Sequence, residues 1–409
     1  MKKSKKIIVL LESLDVNGSS GTKGRVALLK NMVAAGFKVT ALHYTQKDIQ
    51  IDGITTIAVS EPKSKYYFLS RLQRYFYKWF GVNIGDRYEK RSGFSFNWKV
   101  ASNAFAKALK KHNPKDFDML WALGKGTQFR AHHAVLECPE WHSKWFAYVH
   151  DPYPQQLYPR PYNFVPLGYK KKRNFFRDVT QRAHKMVFPS QLLKEWMGSY
   201  FKDIENKSVI IPHQITAYTK NKTAVPGYFN SDAFTLLHAG NLLDLRDPEP
   251  LLEAFTAFVQ KHPEASAQLL FLGKSGKFKE VITDYALRYP SIYGSKDYVP
   301  FDEVYEMQQK ARVNIILEAK GEISPFLPGK FPHCVAANKP ILLVSPYYSE
   351  TKRLLGETYP YTFEFNQVAE IEQAITQLYK NWISNHELSL DRQDLEEYMS
   401  PNYLKKILS

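Results

Sequence analysis

"SPFLPGKFPHCVAANKPILLVSP", residues 324–346, runs from a proline-bracketed loop through a stretch of small residues into an apolar strand. Pro325 and Pro328 fix the backbone on either side of the loop and stiffen it, so that Lys330 is presented at the start of a short helix over 331–337. Ala336 and Ala337 allow that helix to lie close against a sheet, and 340–344 reads as the next strand. A cation beside the unpartnered N–H groups of a helix start is a place to hold a phosphate.

The same alternation extends in both directions. Upstream, "LLHAGNLLDLRDPEPLLEAF" at 236–255 reads as strand, Gly240 turn, Arg246 in a loop, and a helix opened by Pro248 and Pro250. Strands are predicted over 233–240, 267–273, 312–319 and 339–346, with helices at 249–261, 277–288, 301–310 and 331–337. The first half begins with a strand at 7–11, a Gly/Ser loop at 12–21, an amphipathic helix at 22–35 stopped by Gly36, and a strand at 37–44. Short apolar strands follow at 118–124, 145–152, 185–190 and 208–213, each ending in a polar or proline-bearing loop. This is the pattern of parallel sheets whose strand C-termini face a site.

Residues 216–230 lack apolar periodicity and read as a linker. The expected organisation is a first domain over 1–215, a linker over 216–231, a second domain over 232–390, and a helix over 391–409 packing back on the first domain. Both domains are expected to be doubly wound, Rossmann-like α/β units facing a cleft that takes the ligand.

A length of 409 residues suits two cores, and 44% apolar with 23% charged residues excludes a disordered or fibrous chain. Cys138 and Cys334 form no metal-type spacing and fit a reduced, cytoplasmic setting. The charged start "MKKSKK" is followed by an apolar run that ends at Glu12, too short for a signal peptide, and no stretch approaches the ~18 apolar residues of a membrane span. Asp116 and Asp118 precede a strand instead of following it, so no metal site is expected. Gly18, Gly21 and Gly24 give G-x-x-G-x-x-G and not the dinucleotide fingerprint, so that loop is expected to be flexible or, through Gly21 and Lys23, to border an acceptor.

The net charge is +16, and residues 61–115 hold 13 Lys/Arg against 3 Asp/Glu. Lys170, Lys171, Lys172 and Arg173 form a second basic cluster. Such an excess attracts anionic partners. Nucleic acid is not expected among them, since no helix-turn-helix, zinc or aromatic RNA signature accompanies the charge. Within "KSKYYFLSRLQRYFYKWFG" at 63–81, Phe68, Leu72, Phe76, Trp79 and Phe80 fall on one side of a helix and most cations elsewhere. That face belongs either to an anionic membrane surface or to the domain core or an acceptor groove, with the cations then a solvated rim.

The arrangement of Gly240, Arg246 and "AANKPILL" at 336–343, with "YVHDPY" at 148–153, "VFPS" at 187–190 and "IIPH" at 210–213, resembles the GT-B glycosyltransferases of the family 4 type. The resemblance spans nearly the whole chain. It implies transfer of a sugar from a nucleotide-diphosphate sugar to a glycan or lipid-linked acceptor, with retention of configuration, in bacterial-type polysaccharide or glycoconjugate synthesis. It implies no cofactor beyond the donor and no metal, the leaving diphosphate being held by Gly240, Arg246 and Lys330 with helix N–H groups. His150 would contact the donor sugar; Asp151 beside it either accepts the acceptor's proton or caps a turn. Ser324 and His333 would meet the donor sugar or ribose, and Tyr298 or Val299 the base. The sequence departs from the family at its glutamate pair, whose positions hold Pro325 and His333, and at the usual glycine, replaced by Asn338. A sugar-nucleotide epimerase or an inactive sugar-binding protein of the same fold are the alternatives.

Overall fold

The computed structural model describes residues 4–16, 20–216, 224–385 and 388–409. Gly18 and residues 217–223 of the expected linker lie outside them. Two compact units result, one of Met1–Tyr158, Tyr162–Thr216 and Met399–Ser409, the other of Pro159–Pro161 and Ala217–Tyr398.

The first unit is built on β1 (Lys6–Leu11), β2 (Lys38–His43), β3 (Ile54–Ala58), β4 (Met119–Leu123), β5 (Trp145–Tyr148), β6 (Lys185–Phe188) and β7 (Ser208–Ile210). They form one sheet in the order β3-β2-β1-β4-β5-β6-β7, parallel throughout. In "KIIVLL" of β1 every residue after Lys6 is buried, as a central strand covered on both faces requires. The helices are α1 (Ser20–Ala34), α2 (Lys65–Phe80), α3 (Ile84–Ser92), α4 (Phe96–Leu109), α5 (Arg130–Leu136), α6 (Tyr169–Arg182) and α7 (Gln191–Gly198).

The second unit repeats the plan with β8 (Phe234–Ala239), β9 (Ala267–Leu272), β10 (Ile292–Gly294), β11 (Val313–Leu317), β13 (Ile341–Val344) and β15 (Thr362–Phe363) in the order β10-β9-β8-β11-β13-β15. A two-stranded ladder pairs β12 (Ile323–Ser324) with β14 (Tyr348–Ser349). Its helices are α8 (Glu249–Lys261), α9 (Lys279–Arg288), α10 (Phe301–Lys310), α11 (Phe331–Ala336), α12 (Glu350–Leu355), α13 (Val368–Asn385) and α14 (Gln393–Tyr398). The closing segment, expected as one helix over 391–409, is two: α14 lies in the second unit, and α15 (Pro401–Leu408) packs on α1 of the first. Lys5 Nζ donates to the carbonyl of Leu408 at 2.8 Å and helps to hold α15 there.

The predicted strands match those found to within a few residues, whereas β3, β10, β12, β14 and β15 were not predicted. Most of these are two or three residues long and too short to show a period. Strand order reverses between β1 and β4 in the first sheet and between β8 and β11 in the second. Ligands of open α/β sheets bind beyond the strand C-termini at such reversals. Two places to look are thereby fixed, one in each unit.

Candidate functional site

In the second unit, β8 ends in His238, Ala239 and Gly240. Gly240 has φ +127°, and so does Gly273 at the end of neighbouring β9. A Cβ on Gly273 would lie 2.8 Å from the carbonyl carbon of Gly240, so only glycine permits the two backbones to approach this closely. The Lys330 side chain reaches the same point, where Nζ would stand 3.4 Å from a Cβ on Gly240. Its ammonium donates to Nε2 of buried His238 at 3.0 Å. The His238 pKa is pushed well below the ordinary range, by burial first and then by Lys330 and Arg246, so the ring is neutral and accepts. Arg246, on the loop before α8, donates to the Asn241 carbonyl at 3.2 Å.

Gly240, Arg246 and Lys330, as much as 90 positions apart in sequence, are therefore together. The Lys330 pKa is also driven well below its usual value, by burial first and then by the Arg246 charge. Two cations held near one another in a partly desolvated place favour an anion between them. Lys330 stands at the N-cap of α11, and this helix is only six residues long. The expected contribution of helix N–H groups is accordingly minor beside the two side-chain charges.

A carboxyl that family spacing passes over stands at the same reversal. Glu318, just after β11, is buried, and its Oε1 accepts a hydrogen bond of 2.5 Å from Thr351 Oγ1. Burial raises its pKa to about 7, against hydrogen bonds from Thr351, Ser324 and Ser349 and the charge of Arg246. Ser324 is thus drawn to Glu318. His333 lies on α11 with its ring 5.3 Å from Phe301 and 6.2 Å from Tyr305, both of α10. Tyr298 is exposed on the loop before α10, while Val299 packs against the cluster of Phe229, Leu237 and Met307. Asn338 takes the left-handed conformation, φ +49°, that makes glycine usual there. Its Oδ1 accepts from the N–H of Asp391 at 2.9 Å, which helps asparagine to occupy that region. Tyr228 stacks on Tyr293 at 4.1 Å and Phe229 is buried, so this part of the expected linker belongs to the second unit's packing.

In the first unit the reversal is occupied by paired opposite charges. Glu12 follows β1, is buried, and meets Arg130 Nε at 3.3 Å. Buried Arg25, on α1, donates to the Gly124 carbonyl after β4 at 3.2 Å and to Thr22 Oγ1 at 3.1 Å. Gly21 is not in a loop as expected but in the first turn of α1, where a Cβ would stand 3.5 Å from Arg25 Nη1. Lys23 is half-buried on the next residues of that turn.

His150 and Asp151 follow β5. Asp151 accepts a hydrogen bond from Tyr158, and burial raises its pKa against the lowering effects of Tyr158 and Arg25. The His150 pKa is lowered, by burial first and then by Arg25 and His213. Its ring stacks 6.2 Å from that of His213. The sequence reading named His150 and Asp151 but not Glu12, Arg25, Arg130 or Tyr158. The available signal for Glu12 was a carboxylate directly after a wholly apolar strand. Beside this cluster a cavity of about 140 Å³ is lined by Trp98, Phe94, Tyr153, Gln128, Gln155 and Lys172, among others. Among the described residues no group of His, Cys, Asp and Glu could hold a metal, and no helix is long and apolar enough to cross a membrane.

Comparison with solved structures matches this two-sheet plan over its whole length. The structure described as "Trehalose-6-phosphate from E. coli bound with UDP-2-fluoro glucose" aligns at TM-score 0.61 and 11% identity, over 99% of this chain and 98% of the other. The fold is GT-B. WaaG, a glycosyltransferase involved in lipopolysaccharide biosynthesis, aligns at TM-score 0.62 and 12% identity over 98% and 99% of the two chains. Sucrose-phosphate synthase from Thermosynechococcus elongatus aligns at 0.60 and 10% over 99% and 97%. No protein-family model matches the chain, and no curated sequence does. At these identities the likeness concerns the GT-B fold, and chemistry has to be argued from the residues.

Proposed function

We propose that the protein is a glycosyltransferase that moves a sugar from a nucleotide-diphosphate sugar to a glycan or lipid-linked acceptor. The observation that carries this reading is the convergence of Arg246 and Lys330 on the glycine-bracketed end of β8, where the nearest strong charges acting on Lys330 include a second cation. A diphosphate satisfies both at once. In the reaction, the bond between the sugar's anomeric carbon and the diphosphate oxygen breaks and its electron pair leaves with the nucleoside diphosphate. Arg246 and Lys330 stabilise that developing charge. The acceptor hydroxyl oxygen bonds to the anomeric carbon, and its proton passes to Asp151, which burial makes a stronger base than an exposed carboxylate. Neutral His150 orients a sugar hydroxyl.

In this reading the acceptor belongs to the first unit, with Gln128, Gln155, Glu89 and Lys172 of the cavity offering hydrogen-bonding groups to sugar hydroxyls. The family 4 resemblance adds retention of configuration, which the anomer of the product reports. It also adds a role in polysaccharide or glycoconjugate synthesis, where a lipid-linked acceptor would be met at a membrane face. A thermal-shift screen against nucleotide-sugars and nucleoside diphosphates tests the reading. A ligand bound only by the folded state raises the melting temperature. Stabilisation by at least one nucleoside diphosphate, lost in Lys330→Ala, is expected; indifference to all of them would overturn the proposal.

A further inference from the structure

Helix α2 turns the usual amphipathic arrangement inside out. Ser70 is its one buried residue among those described, and Tyr66 and Gln73, on the same side, are half-buried. The side toward the domain is therefore polar. At 3.6 residues per turn, Phe68, Leu72, Tyr75, Phe76, Trp79 and Phe80 share an outward arc of about 140°. All six are exposed, Phe68 at 60%, Tyr75 at 63%, Phe80 at 70% and Trp79 at 74%. The helix does not owe its form to burying that arc. Ser64 caps its start by accepting from the Tyr67 N–H, and Gly81 ends it in the left-handed conformation.

Arg71, Arg74 and Lys78 line one flank of the arc by the same periodicity. Arg71 lies 3.6 Å over the Tyr67 ring and only 3.9 Å from Glu61, while Arg74 and Lys78 have no carboxylate partner among the described residues. An apolar face this wide is seldom left to water on a monomer and marks an interaction surface. Its chemistry selects the partner. A second copy would bring a strongly positive surface, with 13 Lys/Arg against 3 Asp/Glu over 61–115, against itself. An anionic lipid layer supplies both the negative phosphates that the flank lacks and the acyl chains that the arc lacks.

We propose that α2 lies in the headgroup layer of an anionic bilayer. Its aromatic arc enters the acyl boundary, and Arg71, Arg74 and Lys78 sit at the phosphates. The sequence left this face divided between membrane, core and acceptor groove; its exposure removes the core. The proposal stands apart from the donor chemistry of the second unit and would hold for a protein that transferred nothing.

The test is co-sedimentation of the full chain with vesicles of phosphatidylcholine alone and of phosphatidylcholine mixed with phosphatidylglycerol, at low and high salt. Binding to the mixed vesicles at low salt, weakened by salt, is expected. The variant R71E/R74E/K78E should bind about a hundredfold or more weakly, since each cation at an anionic surface matters by roughly fivefold. F68S/F76S/W79S should lose binding while nucleoside-diphosphate stabilisation persists in both variants, because every substituted side chain is exposed. Absence of binding at low salt, or binding unmoved by both variants, would overturn the proposal. So would a wild-type dimer in sedimentation analysis that the apolar variant dissociates, which would make the arc a contact between copies.

Discussion

The two sheet reversals are topologically alike and electrostatically opposite. In the first unit Glu12 meets Arg130, and Arg25 feels both Glu12 and Asp151, so these two cations are each answered by a carboxylate. In the second, Arg246 and Lys330 push against one another, and burial raises the pKa of the neighbouring carboxyl, Glu318, to about 7 so that much of it carries a proton near neutrality. The same architecture thus yields a cluster of paired opposite charges in one unit and two cations set near one another in the other, the latter being where a diphosphate is proposed to bind. A scaffold fixes where a site lies, and the residues at the strand ends fix what it does.

The largest effect that would sharpen the contrast is on the first unit. Asp151→Asn keeps the shape and removes the base, so turnover should fall by about 10²–10⁴ with donor affinity unchanged. Steady-state rates beside nucleotide titrations decide it, and a parallel loss of donor binding would erase the division of labour.

Next comes a pH effect confined to the second unit. Glu318 has a folded pKa of about 7 against an ordinary 4.5. The folded state keeps this proton longer than the unfolded one, so its contribution is fully present below about 4.5 and is lost as pH rises toward 7, on the order of 3 kcal/mol. Denaturant unfolding at about pH 4.5 and about pH 8 should show Glu318→Gln gaining on the wild type by that order at the higher pH. An equal difference at both would mean that the folded carboxyl titrates as the unfolded one does.

The diphosphate clamp ranks third. Arg246→Ala and Lys330→Ala should each weaken nucleoside-diphosphate binding by about 1.5–3 kcal/mol. Binding should also take up a proton at alkaline pH, because an anion restores the charged form of a lysine whose pKa is depressed. Calorimetry in buffers of different ionisation enthalpy reads that sign, and proton release would contradict it. The smallest effect belongs to His333, whose ring rests on Phe301 and Tyr305. If it also meets the ribose, His333→Ala weakens nucleotide binding by about 0.5–1.5 kcal/mol; if it only packs, affinity stays and stability alone moves.

By itself the sequence determined the alternating parallel-sheet plan and the division into two units. Buried strands such as "KIIVLL" must be apolar throughout, and a short-range pattern of this kind survives in one dimension. It also placed Gly240, His150 and Asp151 at strand ends and Arg246 and Lys330 at strand-to-helix junctions, where α/β sites lie. What it did not contain was distance. Lys330 meets His238 across 92 positions, Arg25 meets Gly124 across 99, and Glu318 joins Ser324 and Thr351 through a ladder of two short strands. Neither spacing nor periodicity encodes such meetings, since the strand order that produces them is set by packing the whole sheet. The tertiary structure likewise decided the side of α2. Its periodicity fixes which residues share a face, but only the surface it packs on fixes whether that face turns to the core or to the surroundings.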